Sequence, residues 1–362
     1  MPTQVLFGLS VIPQNHSLFH KSGSKAFIVT GKHSAVESGA QADVLAALAS
    51  GGIDYYIFSE VTENPALSIV ERGAGILGEE KCDFIIAIGG GSPIDAGKAI
   101  AILASNDIAP EDIYIPSRYD KALPLIAVPT TSGTGTEVTH YSVITNDKTN
   151  TKAGFGTPLI FPRYSFCDPK YTLTLSVTAT QDTGIDALSH LLEGVYSNKR
   201  NPLLMPLIYK GIEYIFDNLN EAMFDRGNLE ARTRLMQASL WGGMVIAHTS
   251  TTLQHSIGYP VTTEFGISHG LANGIFMKPI MDLYHHYIEN EIEEIFSRIG
   301  ISRMDFYLWL RDQGLQSPKL KITEQFIADK TPEVLASRNM ALNPCPITKA
   351  DIEKLYRDVM KQ

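Results

Sequence analysis

Short apolar runs alternate with helix-periodic stretches from residue 26 to about 128, and after about Leu175 such runs nearly disappear. This change of rhythm constrains the fold more than any single residue does. Strand runs are expected at 26–30, 54–59, 82–88 and 123–128, with residues 4–8 as a further edge strand. Helices are expected at 36–50, from Asn64-Pro65 to about 80, and from Ser92 onward. Strands that alternate with helices build a parallel sheet covered on both faces. The segments 177–196, 203–219, 229–248 and the run after His269 all carry helical spacing. The expected organisation is therefore an α/β N-terminal domain with a Rossmann-like parallel sheet, residues 1–176, followed by an all-α C-terminal domain, residues 177–362.

With 362 residues the chain is long enough for two real cores. Its formal net charge of −9 argues against a nucleic-acid-binding face. Cys82, Cys167 and Cys345 are odd in number and widely spaced, which supports neither a disulfide framework nor a thiolate zinc knuckle. Cys82 reads as a small core residue opening the third strand. No apolar run reaches membrane-spanning length, and the N-terminus lacks the basic-then-apolar pattern of a secretory leader. The expectation is a soluble cytoplasmic protein with no membrane or nucleic-acid partner.

The third strand runs into Gly89-Gly90-Gly91-Ser92-Pro93. Glycines let a backbone approach an anion closely and reach φ > 0. Ser92 suits an N-cap, Pro93 the first helical position and Asp95 the third. A helix opening there points unpaired N–H groups and a positive dipole end at a phosphate. An ordinary capped turn has the same pattern. The fourth strand ends in Pro129-Thr130-Thr131-Ser132-Gly133-Thr134, with Thr136 and Thr139 beyond. Hydroxyls at the carboxyl end of a strand suit ribose and phosphate. Lys152 follows in what reads as a loop and is another possible phosphate or ribose contact, though a solvated lysine fits as well.

Asp186 and His190 lie four apart in a stretch free of internal Gly and Pro, so a helix stacks them on one face. His255 and His269 are separated by Gly258, Pro260 and Gly266. A helix ending near His255, a loop, and a new helix opening at His269 is the expected arrangement. Three imidazoles and a carboxylate suit a divalent first-row metal. Taken alone, an Asp-x-x-x-His pair is more often a solvated helix face. Glu193 reads as a structural hydrogen-bonding residue, and His248 as a packing or surface residue.

GGGSPxDxxK, PTTxGTxxEVT, GxDALSHxxEG and HxxGY…HGxA occur in order, and NPCPITKADIEKLY follows near the C-terminus. Together they resemble the iron-containing (group III) alcohol dehydrogenases over essentially the whole chain. The resemblance implies a dehydroquinate-synthase-like fold, with an N-terminal domain for NAD(P), a helical C-terminal domain and a metal in the cleft. It implies Asp186, His190, His255 and His269 as metal ligands. It implies cofactor contacts at Gly90, Gly91, Ser92, Asp95, Thr130, Thr131, Thr134, Thr139 and Lys152, to which Asn64 is added. A homodimer or larger homo-oligomer is implied as well.

Two departures stand out. Many members carry Asp after the first strand, where this chain has Gly31 followed by Lys32 and His33. Losing that carboxylate removes repulsion against a 2′-phosphate, so NADP(H) is expected to be preferred and NAD(H) remains possible. Four residues after His255 many members have another His, and this chain has Tyr259. An unperturbed tyrosine titrates near ~10, high for a proton donor at neutral pH. A water relay is favoured over the phenol, with a ribose hydroxyl as a third route. The expected reaction is hydride transfer between the nicotinamide and a small aliphatic alcohol, diol or aldehyde, with Fe(II) as a Lewis acid and Zn as its competitor. The alternatives are a zinc glycerol-dehydrogenase-type polyol oxidoreductase and a dehydroquinate-synthase-type lyase.

Overall fold

The computed structural model describes residues 2–149, 151–315 and 320–360. Packing divides the chain into two units. One comprises Met1–Ser176 with Asp225–Met236, the other Val177–Phe224 with Gln237–Gln362.

The strands of the first unit are β1 Gln4–Phe7, β2 Lys25–Thr30, β3 Asp54–Phe58, β4 Phe84–Gly89, β5 Leu125–Pro129, β6 Tyr141–Asn146, β7 Thr151–Gly156 and β8 Tyr164–Cys167. Six form one parallel sheet in the order β1-β8-β5-β4-β2-β3. The period-2 alternation of side chains sorts the core into two layers. Ala26, Ile28, Phe84, Ile86, Ile126 and Val128 pack with Val44 and Leu48 of the Ala40–Gly51 helix. Phe27, Val29, Ile85, Ala87, Leu125 and Ala127 pack with Val70, Leu77, Ile94 and Ala99 of the Leu67–Glu79 and Gly91–Leu103 helices. Each fully buried Ile or Val contributes about 1.5–3 kcal/mol. With apolar residues facing both layers, β4 and β5 are entirely buried, as central parallel strands must be. The chain leaves β2 toward β3 on one side and returns to β4 on the other. That makes the β2/β4 boundary the switch point at which open α/β sheets bind ligands.

Several local expectations are corrected. The single helix expected at 36–50 is two, Ser34–Glu37 and Ala40–Gly51, because Gly39 at φ +80 interrupts it. The third strand starts at Phe84. Cys82 precedes it, buried, with its Sγ 3.5 Å from the Ala26 carbonyl and its thiol pushed up to about 11 by burial. The loop expected around Lys152 is strand β7, antiparallel to β6, with Lys152 opposite Thr145. The hairpin escapes an apolar-alternation reading because its fully buried position 142 is a serine, satisfied by donating to the Asp95 carbonyl at 2.9 Å. Strand β8 is missed for a similar reason, being four residues long with Ser165 fully buried among them.

Among the described residues of the second unit's segments the regular structure is helical, as expected. Every residue from 184 to 196 of the Val177–Tyr196 helix is buried. No helix among the described residues is long and apolar enough to cross a membrane.

Candidate functional site

In the first unit, the glycine turn after β4 lies against the hydroxyl loop after β5. Gly89 adopts φ +149, open to glycine alone without strain, and its carbonyl accepts from Thr130 N at 2.9 Å. A side chain at Gly91 would stand 2.7 Å from Thr134 Cγ2, and one at Gly90 would stand 3.1 Å from Thr131 Cγ2. Glycine is therefore what lets these two segments touch. The helix begins at Gly91 with Gly90 at the cap and no side-chain capping bond. Ser92 is consequently the second helical residue and Pro93 the third, which corrects the expected cap. Thr30, Thr130 and Ser132 bury hydroxyls that have no hydrogen-bond partner among the described residues, at or just beyond the carboxyl ends of β2 and β5. Orphaned hydroxyls in that place fit an oxygen-rich ligand such as a dinucleotide.

Asp95 is turned to internal work. Its carboxylate accepts from Thr136 Oγ1 at 2.5 Å and Val143 N at 2.9 Å. Thr139 likewise serves Lys98, a fully buried lysine that sequence reasoning passed over. Lys98 Nζ donates to Thr136 O and Oγ1 at 2.7 Å, to Thr139 O at 3.0 Å and to Tyr141 O at 2.7 Å. Burial lowers its pKa to about 8 against the pull of Asp95 and Glu137. The spacing of three between Asp95 and Lys98 was the available signal. Asn64, at φ +51, accepts from Lys152 Nζ at 2.8 Å, so two expected cofactor contacts meet each other. Gly31 follows β2 directly, and Lys32 and His33 beside it are exposed.

In the second unit, Asp186, His255 and His269 each offer one ligand atom, all within 4.8 Å of one another. Asp186 Oδ1 is 3.7 Å from Nε2 of both histidines. Donors on bonds of roughly 2.1 Å to a tetrahedral ion stand about 3.4 Å apart, so the set fits a first-row metal. His190 is outside this trio, buried, with its ring stacked on His255 at 4.8 Å between centroids. His269 is partly exposed whereas Asp186 and His255 are buried, leaving one side accessible. Burial opposes the Asp186 charge, but His190, His269 and His255 hold its carboxyl well below the usual range. Burial also opposes a charge on His255, yet Glu193 and Asp186 raise its pKa to about 9. The same negative field attracts a divalent cation in place of that proton.

One helix organises this site. Asp182, Asp186, His190 and Glu193 recur along one face of Val177–Tyr196. Glu193, fully buried, takes the His255 Nδ1 edge and turns Nε2 toward Asp186. Asp182 accepts from Leu271 N at 2.9 Å and so anchors the His269–Gly274 helix. A side chain at Gly270 would run into the Asp182 carbonyl. His269 opens its helix as expected. His255 does not end one: it is the third residue of Leu253–Phe265, which accommodates Gly258 and Pro260 and stops at Gly266. A side chain at Gly258 would come 2.5 Å from Asn273 Oδ1. Tyr259 stacks on the His269 ring at 5.3 Å, 7° from parallel. His248 is exposed. Asp182 and Asn273 escaped the sequence reading, although each lies four residues from an expected ligand.

Comparison with known proteins agrees with this architecture. Residues 2–169 match the family model "Iron-containing alcohol dehydrogenase", and residues 180–360 match "Fe-containing alcohol dehydrogenase family, C-terminal". The chain is 33% identical to the NADPH-dependent butanol dehydrogenase of Clostridium saccharobutylicum, over 99% of this chain and 97% of that one. It is 33% identical to the 1,3-propanediol dehydrogenase of Citrobacter freundii, over 76% and 72% respectively. An iron-containing alcohol dehydrogenase structure from Thermotoga maritima superposes with a TM-score of 0.93 at 35% identity, covering 100% of this chain and 99% of that one. The chain belongs to the iron-containing alcohol dehydrogenase family and is a metal-dependent oxidoreductase of alcohols.

Proposed function

We propose that this enzyme interconverts a small aliphatic alcohol or diol and its aldehyde, with NADP(H) as the preferred hydride carrier and Fe(II) as the native ion. The observation that carries the reading is the convergence of Asp186, His255 and His269. These three hold the ion, with His190 as fourth ligand. His190 is buried, lies one helical turn after Asp186 and stacks its ring on His255, which supports that assignment. When bound, the ion supplies Lewis-acid polarisation of the substrate oxygen. Glu193 keeps His255 in the tautomer that presents Nε2. Residues 1–176 form the nucleotide-binding domain and 177–362 the metal-binding domain. Gly90, Gly91, Ser92, Thr130, Thr131 and Thr134 cradle the phosphates and ribose. Asp95 and Thr139 act from behind, by holding the hydroxyl loop. Asn64 and Lys152 contact the cofactor as a bonded pair.

The NADP(H) preference rests on Gly31, with Lys32 and His33 exposed beside it. It is in keeping with the name of the butanol dehydrogenase relative, as a diol substrate is with the name of the propanediol dehydrogenase. Tyr259 flanks His269, and a water relay carries the proton. Buried thiols at Cys82, Cys167 and Cys345 support a cytoplasmic setting, and β1 at the sheet edge supports a homodimer or larger assembly.

The test is a panel of alcohols, diols and aldehydes run with both cofactors, with metal content measured on the same anaerobically purified sample. Short aliphatic substrates, NADPH and stoichiometric iron are expected. Protein without stoichiometric metal that still turns over removes the mechanism, and zinc in place of iron corrects the ion.

A further inference from the structure

Asn273 lies among the three donors on which the metal reading rests. It is fully buried and sits four residues after His269 on the same short helix. Its Nδ2 stands 3.1 Å from Asp186 Oδ1, 3.2 Å from His255 Nε2 and 3.2 Å from His269 Nε2. Those are the same atoms that stand 3.7 Å apart across the carboxylate–imidazole pairs.

A primary amide carries two N–H donors and a carbonyl acceptor. When the imidazoles are neutral, as ligation requires, Glu193 on the Nδ1 side of His255 leaves its Nε2 to present a lone pair inward. The amide then donates to Asp186 Oδ1 and faces both Nε2 atoms from within 3.2 Å. Carboxylate and imidazole lone pairs turned toward one point repel each other unless something between them donates. Asn273 does so without bringing a formal charge. The opposite end of the amide is also placed: Oδ1 is buried with no hydrogen bond among the described residues, in the space that Gly258 leaves by lacking a side chain. Gln254 Nε2 donates to the Asn273 carbonyl at 3.0 Å and ties the backbone down.

We propose that Asn273 is a positioning residue that gathers Asp186, His255 and His269 at metal-binding separation before the ion enters. The inference rests on the metal reading above and extends it to a residue outside the ligand set. Partners that orient metal ligands change metal affinity by about 10–100-fold when removed.

The test uses the full chain stripped of metal, as wild type, Asn273→Ala and Asn273→Asp, with Zn²⁺ alone as the probe. Zn²⁺ affinity is measured by competition with a chromophoric chelator, and thermal melting is followed with and without the ion. Asn273→Ala is expected to bind Zn²⁺ about 10–100-fold more weakly. Asn273→Asp sets a second carboxylate against Asp186, so its metal-free form should melt well below wild type and Zn²⁺ should recover most of that loss. Zn²⁺ affinity within twofold of wild type in Asn273→Ala, or equal losses of melting temperature with and without ion in Asn273→Asp, overturns the proposal. A wild-type chain that takes up no Zn²⁺ overturns the metal reading itself, whereas wild-type uptake with an indifferent Asn273→Ala overturns this inference alone.

Discussion

Glu193 grips His255 from two directions. One carboxylate oxygen faces His255 Nδ1, and the other accepts from Thr252 N at 2.7 Å, Thr252 Oγ1 at 2.9 Å and His255 N at 3.3 Å. Burial works against this charge, but His255 and Thr252 more than offset it and hold the carboxyl below its ordinary range. Side chain and backbone of His255 are thereby fixed together. Glu193→Gln keeps the shape and loses the charge. Metal affinity should fall by about tenfold or more, measured by chelator competition; unchanged affinity sinks the role given to Glu193.

His269 depends on a residue with no functional group. Gly270 packs on the Asp182 backbone, and Leu271 N donates to the Asp182 carboxylate. Gly270→Ala should displace the His269 helix, at about 1–3 kcal/mol or more in stability and with loss of bound metal. Stability comes from denaturant unfolding and metal from elemental analysis. Full metal occupancy in this variant contradicts the argument.

The proposed preference for NADP(H) rests on Gly31. A side chain there meets the Val61 carbonyl at 3.3 Å, tight but not blocked, and no φ constraint applies. Gly31→Asp sets a carboxylate against a 2′-phosphate, and like charges in juxtaposition cost several kcal/mol. The kcat/KM ratio of NADPH to NADH should fall by at least about tenfold. A ratio that does not move, or wild type that already favours NADH, rejects the assignment.

Tyr259 offers a check on proton transfer. Its ring lies nearly parallel to that of His269, and Tyr259→Phe preserves that stacking while removing the hydroxyl. Turnover within about threefold of wild type is expected if water carries the proton; a drop of 10² or more, the lower bound of general acid–base contributions, assigns it to the phenol.

A pH dependence follows from Glu137, which is buried beside the Lys98 cluster. Burial pushes its carboxyl from 4.5 up to about 7. Between those values the folded chain holds a proton that the unfolded chain has lost. The stability this contributes is complete below the unfolded pKa and is lost as pH rises through about 7. Glu137→Gln stays neutral throughout, so its melting temperature should gain on wild type between pH 5 and pH 8. Parallel melting curves across that range refute it.

How much could be read in advance differs by element. β2, β4 and β5 were legible because parallel central strands must be apolar on both faces. The hairpin of β6 and β7 was not, because Ser142 fills a core-facing position and is satisfied by a hydrogen bond that only the folded chain supplies. Asp186 and His190 were legible from helical spacing. The offset helix start at Gly91, and the position of His255 near the beginning of its helix, were not, since packing outweighed local capping and breaker signals.

The order of residues alone determined the alternation that makes the sheet, the helical character beyond 176 and the residue types able to hold an ion. Only tertiary structure decided which of them meet. Asn273 reaches Asp186 across 87 positions, and Glu193 reaches His255 across 62. Contacts of that separation depend on how buried helices pack, and periodicity within a single helix carries no record of its neighbours.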